Sequence, residues 1–148
     1  ASQSVFSVLP VEGTVTSGFC ERKNPFYGTS AAETDETEFH PGVDIAAPLG
    51  TPIYACRDGV VAKVNYSAGY GNYIIIDHGG GMETLYAHAS IIVAAEGMSV
   101  QAGDVIAKVG STGRSTGPHL HFELHRDAKA QDPAPYLTSL FEKAGTNG

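Results

Sequence analysis

Short runs of β-branched and aromatic residues, repeatedly interrupted by glycine, are the feature that most constrains how this chain can fold. The sequence holds 18 glycines among 148 residues, and runs punctuated in this way are typical of strands joined by turns. The pattern therefore predicts a mainly β fold. The predicted strands are Gly13–Cys20, Pro52–Cys56, Gly59–Tyr66, Asn72–His78, Glu83–His88, Asp104–Val109 and His119–His125.

Two further patterns indicate how the strands are arranged. The glycine turn "HGGGM" predicts an antiparallel hairpin of Asn72–His78 with Glu83–His88. The segments "DGVVAKV" and "GDVIAKV" resemble each other, and a duplicated hairpin closing into a sandwich or barrel would explain this, with chance similarity as the alternative. Only Pro135–Lys143 has helical character. We expect an antiparallel β-sheet of sandwich or barrel-like hybrid form with a short C-terminal helix.

The length and the charge exclude several classes of protein. A chain of 148 residues can bury a sizeable core, and we expect a single domain over residues 1–148. The net charge of −7 argues against a nucleic-acid partner, because phosphate neutralisation needs clustered basic residues. No stretch approaches the ~18 consecutive apolar residues of a membrane helix, so no membrane span is predicted in this chain.

A long polar segment, Glu21–Phe39, interrupts the strand pattern and leads directly to His40. We predict that it forms a loop into the functional site, since long loops in compact domains are often lids or binding loops. Its acidic run "ETDETE" is typical of a solvated loop and less often contacts a cation or substrate. The two cysteines, Cys20 and Cys56, form either a disulfide or two buried thiols, and their spacing supports no cysteine zinc site.

Two histidine motifs offer metal ligands. In "HPGVD", His40 and Asp44 share a face of an extended chain, and imidazole and carboxylate groups are both good ligands for Zn²⁺. In "GPHLHFE", His119 and His121 share a face of the last predicted strand. A catalytic zinc site uses three protein ligands and keeps one position open. One histidine of the second pair is therefore better placed beside the metal, as a proton carrier or a stabiliser of developing charge.

Three other histidines have less distinctive surroundings. His88 ends "LYAH" and would lie on the same face of its strand as Tyr86. It is either a polar group over the site or a partly exposed residue at a strand end. His78 precedes a glycine turn and is expected to hydrogen-bond turn backbone. His125 is expected at the surface near a strand end, although it would share the face of the His-x-His pair if the strand continued.

Taken together, the motifs "HPGVD", "LYAH" and "GSTGRSTGPHLHFE" resemble, in this order, the signature of the LytM/lysostaphin-type zinc endopeptidases of peptidase family M23. The resemblance extends from "GTVTSGF" to "PYL" and covers nearly the whole chain. It implies an antiparallel β fold with a groove across the sheet. It also implies a zinc metalloendopeptidase that cuts peptide cross-links or stem peptides of bacterial peptidoglycan. One departure is "GFCERKNP", in which Cys20 replaces a glycine common in the family.

The resemblance implies a role for each site residue. His40, Asp44 and His121 match the zinc ligands of the family, and His88 and His119 match the two histidines at its catalytic centre that do not bind the metal. Peptidoglycan peptides would be the substrate, and envelope proteins would be candidate partners. The location would be extracytoplasmic in a bacterium, in the cell wall, secreted or anchored to the membrane.

Two other functions are alternatives. A non-catalytic scaffold of the same fold would bind peptidoglycan or an envelope complex, as in relatives that have lost ligands. All five matched positions are present here, which favours the enzyme. A phosphocarrier domain of the sugar phosphotransferase type also places two histidines together in a compact β domain. The motif "GPHLHFE" disfavours that alternative, because a phosphocarrier does not require a second His-x-His strand.

Overall fold

The computed structural model describes residues 6–17, 42–113, 115 and 117–137, which form ten strands and a short helical stretch at 134–137. All strand pairs in this part of the chain are antiparallel. The strands are β1 (Thr14–Ser17), β2 (Val43–Ala46), β3 (Pro52–Tyr54), β4 (Gly59–Ser67), β5 (Gly71–Gly79), β6 (Met82–Ile92), β7 (Ser99–Val100), β8 (Val105–Val109), β9 (His119–Arg126) and β10 (Lys129–Gln131).

The strands form one branched sheet with the order β1-β2-β9-β6-β5-β4-β7. The strand β10 also pairs with β9, and β8 pairs with both β3 and β6. The sheet is not closed into a barrel, since β1 and β7 end the path through the described strands. The predicted class, mainly antiparallel β with a short C-terminal helical segment, is confirmed. No helix among the described residues is long and apolar enough to cross a membrane.

All seven predicted strands have counterparts, most with shifted ends, and residues 18–20 of the predicted strand Gly13–Cys20 lie outside the described residues. The predicted hairpin is confirmed as β5 paired with β6, but β6 continues to Ile92, so His88 lies inside a strand rather than at its end. Three short strands were missed, namely β2, β7 and β10. The two similar segments form β4 and β8, yet only β4 pairs with the next strand in sequence. Their similarity therefore marks two strands and not two copies of a hairpin.

The two faces of the central strands carry different side chains. On one face, β9 contributes Leu120, Phe122 and Leu124 to the main apolar core, where each is fully buried. Tyr86 of β6 joins them, with its ring centroid 5.3 Å from that of Phe122. Because strand residues alternate between faces, the opposite face of β9 carries a row of ionisable side chains. That row consists of His119, His121, Glu123 and His125.

A hydrogen-bonded chain of polar groups lies within the core. The Thr84 hydroxyl donates to the Tyr86 hydroxyl at 2.8 Å, and the latter lies 3.3 Å from Cys56 Sγ. His78 Nδ1 lies 2.8 Å from a backbone carbonyl oxygen before β4, as expected for a histidine that bonds turn backbone. Burial raises the pKa of the Cys56 thiol to about 12, so the thiol is protonated at neutral pH. Its candidate disulfide partner, Cys20, lies outside the described residues.

A close backbone contact requires glycine at position 71. Gly71 has φ of 67°, and a Cβ there would overlap the backbone and hydroxyl of Thr112. We expect Gly71→Ala to lower the free energy of unfolding by about 2–5 kcal/mol, combining left-handed backbone strain with overpacking. Gly97→Ala is the matched control, because its φ is 87° but no atom lies within 4 Å of an added Cβ. Urea unfolding measures both variants, and equal losses would refute the packing argument.

Candidate active site

The pairing of β2 with β9 brings the first two candidate residues into contact. Asp44 lies directly opposite His121 in the antiparallel register, although 77 residues separate them in sequence. Asp44 Oδ1 lies 2.9 Å from His121 Nδ1. The two side chains are only 14% and 7% exposed. A carboxylate and an imidazole, both suited to Zn²⁺, therefore converge on the sheet surface with little access to water.

His119 joins this pair from the same face of β9. Its Nε2 lies 3.7 Å from Asp44 Oδ1. Its Nδ1 lies 2.9 Å from the carbonyl oxygen of Gly117 and 3.3 Å from Ser115 Oγ. Because a carbonyl oxygen can only accept, Nδ1 carries the hydrogen in the neutral ring. The acceptor nitrogen, Nε2, then faces the Asp44 carboxylate.

His88 reaches the site because β6 is irregular at this residue. Regular alternation would place His88 on the core face with Tyr86. Instead its φ is 66°, at a point where the pairing of β6 with β5 shifts register and its other neighbour changes from β9 to β8. Its ring centroid lies 4.7 Å from that of His119 and 6.0 Å from that of His121. Bulges that redirect one side chain are common beside functional sites.

Thr112 fixes the orientation of His88. His88 Nδ1 lies 2.7 Å from the Thr112 carbonyl oxygen, so it donates there and leaves Nε2 as the acceptor. The Thr112 hydroxyl donates to the Ala89 carbonyl oxygen at 2.7 Å and accepts from the Asn72 N–H at 3.1 Å. Burial lowers the pKa of His88, so its ring is neutral at neutral pH and able to accept a proton. The segment between β8 and β9 thus sets the tautomer of both His88 and His119.

Glu123 is a member of the site that the sequence analysis missed. Its side chain is 1% exposed, and Oε2 accepts hydrogen bonds from His121 Nε2 at 2.7 Å and from the Tyr70 hydroxyl at 2.6 Å. His125 Nε2 lies 2.6 Å from Oε1. Burial alone would raise the pKa of Glu123, but these hydrogen bonds lower it to about 2, so the carboxylate is ionised. Strand alternation in "HLHFE" could have identified Glu123, whereas nothing in the turn before β5 pointed to Tyr70.

His125 is not the surface residue that the sequence suggested. The strand β9 continues through Arg126, so His125 shares the face of the His-x-His pair, and its side chain is 27% exposed. Its hydrogen bond to Glu123 connects it to the site through the carboxylate. The predicted strand His119–His125 already contained His125, but the next strand, β10, was not recognised as its partner.

The two ring nitrogens of His121 both face carboxylate oxygens. Burial alone would lower the pKa of His121, but the hydrogen bonds with Asp44 and Glu123 raise it to about 9. At this pKa the ring carries a proton on both nitrogens and donates to both carboxylates. A metal cation can take the place of the proton that lies between Nδ1 and Asp44 Oδ1. Asp44 and His121 therefore fit Zn²⁺ as two candidate ligands, with a second carboxylate on the far nitrogen of the histidine, as is usual in metal sites.

His40, the remaining predicted ligand, lies outside the residues that the structure describes, as does the predicted loop at 21–39. Within the described part of the chain, no group of three or more His, Cys, Asp or Glu side chains is arranged to hold a metal ion. Asp44 and His121 are the two predicted ligands in that part.

Comparison with known proteins shows the family. The model of peptidase family M23 matches residues 38–133. The chain is 44% identical over 129 residues to the DD-carboxypeptidase/endopeptidase Mpg of Neisseria meningitidis, covering 86% of this chain and 28% of that protein. It is 39% identical over 126 residues to the peptidoglycan DD-endopeptidase ShyB of Vibrio cholerae, covering 82% of this chain and 28% of that protein.

A solved structure shows the same architecture. The chain superposes on a zinc containing peptidase from Vibrio cholerae with a TM-score of 0.77 and 38% identity, covering 86% of this chain and 39% of that one. This chain therefore belongs to peptidase family M23, as its motifs indicated. It spans a little over a quarter of the length of these two curated relatives.

Proposed function

We propose that this chain is a zinc-dependent endopeptidase that hydrolyses peptide bonds of bacterial peptidoglycan, in cross-bridges or stem peptides. The observation that carries the proposal is the convergence of Asp44, His88, His119 and His121 on one face of the sheet. Membership of family M23 supports the metallopeptidase class. The relatives described as DD-endopeptidases, one of them acting on peptidoglycan, support the substrate. Such a substrate requires an extracytoplasmic location, where envelope proteins are candidate partners.

Asp44 and His121 are proposed as two of the zinc ligands, and the motif "HPGVD" supports His40 as the third. When bound, zinc supplies Lewis-acid polarisation of the scissile carbonyl and lowers the pKa of water. The low exposure of Asp44 and His121 strengthens their electrostatic attraction for a cation, because the local dielectric constant is below that of water. The zinc containing peptidase with the same architecture supports the choice of metal.

His88 and His119 are proposed as the proton carrier and the stabiliser of negative charge. Each ring donates its Nδ1–H to a backbone carbonyl oxygen and so leaves Nε2 for the reaction. Because the ring centroids are 4.7 Å apart, two charged rings repel each other unless negative charge develops beside them. One ring starts neutral and takes a proton from the attacking water, later returning it to the leaving amine. The other ring, when protonated, donates a hydrogen bond to the oxygen on which negative charge develops.

Digestion of defined muropeptides tests the proposed function. We expect the zinc-loaded protein to release products with new peptide termini, identified by mass spectrometry. A chelator should lower the rate by on the order of 10³-fold or more, since the metal contributes several kcal/mol of transition-state stabilisation and 1.36 kcal/mol corresponds to tenfold. Re-addition of one equivalent of zinc should restore activity.

Two results would contradict this scheme. Binding to peptidoglycan without any product would support the scaffold alternative. Full turnover by protein that metal analysis shows to be free of zinc would exclude the proposed role of the metal. Asp77→Ala, which changes an exposed carboxylate that accepts the backbone N–H of Gly79 in β5, is the control for general loss of charge.

A further inference from the structure

We propose that Glu123 is a positioning residue that, together with Tyr70 and His125, fixes the orientation of the His121 ring and the nitrogen that it presents to a metal. This inference rests on the proposed function, in which His121 is a ligand. Glu123 acts through His121 and not on the reacting atoms, because its carboxylate lies on the Nε2 side of the ring. Asp44, the other proposed ligand, lies on the Nδ1 side.

Every hydrogen-bonding partner of the Glu123 carboxylate in the described part of the chain is a donor. An ionised carboxylate only accepts, and three donors surround this one, at 2.6 to 2.7 Å. The donors are the Tyr70 hydroxyl, His121 Nε2 and His125 Nε2. Since the side chain of Glu123 is 1% exposed, water cannot readily replace a missing partner. Hydrogen bonds to a buried charged group are among the strongest in proteins, so this set holds the carboxylate in one place.

Tyr70 restrains His121 in two ways. Its hydroxyl holds the carboxylate oxygen that also accepts from His121 Nε2. Its ring also stacks on the imidazole, with centroids 5.7 Å apart and planes inclined by 27°. In addition, the Tyr70 carbonyl oxygen accepts the backbone N–H of His88 at 2.8 Å. One residue in the turn before β5 therefore contacts both His121 and the irregular point of β6 that directs His88 into the site.

The consequence for His121 is a defined ring orientation. Because Nε2–H is donated to Glu123, Nδ1 is the nitrogen that faces Asp44 and is presented to a metal. A carboxylate on the far nitrogen also makes a ligand histidine more basic. The ring thus needs no rotation to meet a cation at Nδ1.

Replacing Glu123 by glutamine tests this role. Glutamine keeps the volume but offers one acceptor oxygen and an NH₂ group, so at least one of the three donors faces another donor. We expect Glu123→Gln to weaken zinc binding by about 10–100-fold, measured as Kd by competition with a chromophoric chelator. Glu83→Gln, on the same face of the neighbouring strand β6, is the matched control and should bind zinc as the wild type does.

Removing the tyrosine hydroxyl gives a milder test. Tyr70→Phe keeps the stacking on His121 and deletes one hydrogen bond to Glu123, so we expect Kd to rise about fivefold. Tyr66→Phe is its control, because that residue is 59% exposed and makes none of the hydrogen bonds to Glu123. Crystal structures of the metal-free wild type and Glu123→Gln should show one orientation of the His121 ring in the first and a turned or split orientation in the second.

Different results would contradict the positioning role of Glu123 and the proposed function of the chain. A wild type that binds no zinc would refute the function, while the ring orientation would still decide the role of Glu123. Folded Glu123→Gln and Tyr70→Phe proteins with wild-type Kd and an unmoved His121 ring would overturn the positioning role. If Glu123→Gln does not fold, Tyr70→Phe and His125→Gln decide the question by the same two measurements.

Discussion

Replacing either Asp44 or His121 by alanine is expected to abolish zinc content and turnover together. Each side chain is a proposed ligand, and the two lie 2.9 Å apart on paired strands, so neither loss can be compensated by the other. Loss of the metal should lower kcat/KM by on the order of 10³-fold or more. Elemental analysis of the purified variants and muropeptide digestion measure the two effects.

A matched histidine variant distinguishes loss of a metal ligand from general destabilisation of the fold. His78→Ala removes a half-buried ring bonded to backbone near β4 and to the Thr84 hydroxyl, away from the histidine cluster. It should keep a full equivalent of zinc even if its stability falls. A full equivalent of zinc in folded Asp44→Ala or His121→Ala would remove that residue from the ligand set.

The variants His88→Ala and His119→Ala should give the opposite combination, with zinc retained and turnover lost. Neither ring is a proposed ligand, and both place Nε2 for proton transfer or hydrogen bonding, which typically contributes about 10²–10⁴-fold to the rate. We expect kcat to fall within this range for each variant, with zinc content unchanged. Because the two rings act on one reaction, the loss in the double variant should be smaller than the product of the single losses.

The same two measurements can contradict this division of roles. Loss of zinc in His119→Ala would make His119 a ligand, which its distance of 3.7 Å to Asp44 would then explain. Unchanged kcat in His88→Ala would remove His88 from the reaction. The redirected backbone at φ 66° would in that case need a structural explanation.

The sequence predicted the residues that meet on the sheet better than the reasons why they meet. His119 and His121 were placed on one face because strand alternation follows directly from residue spacing. Asp44 was proposed from a motif, but the strand that carries it, β2, was missed. Its four residues lie between glycine and proline and form a strand only through pairing with β1 and β9, which no local pattern reveals.

Two features of the site could not be predicted from local sequence. Alternation places His88 in the core, and only the shift in pairing at β6, set by β5, β8 and β9 together, turns it to the other face. Tyr70 comes from a turn that the sequence marked only by glycine. Its contact with Glu123 spans 53 residues and depends on the order of the strands. The apolar core was more predictable, since alternation alone buries Leu120 and Phe122.

The pairing of β2 with β9 has a consequence for when this chain can become active. Asp44 and His121 are neighbours only through that pairing, across 77 residues, and contacts of such long range form slowly because loop closure costs entropy. His88 likewise takes its orientation only after both β8 and β9 have joined β6. A nascent or partly unfolded chain therefore carries every histidine but no assembled site. The proposed hydrolytic site is complete only when the C-terminal strands have docked.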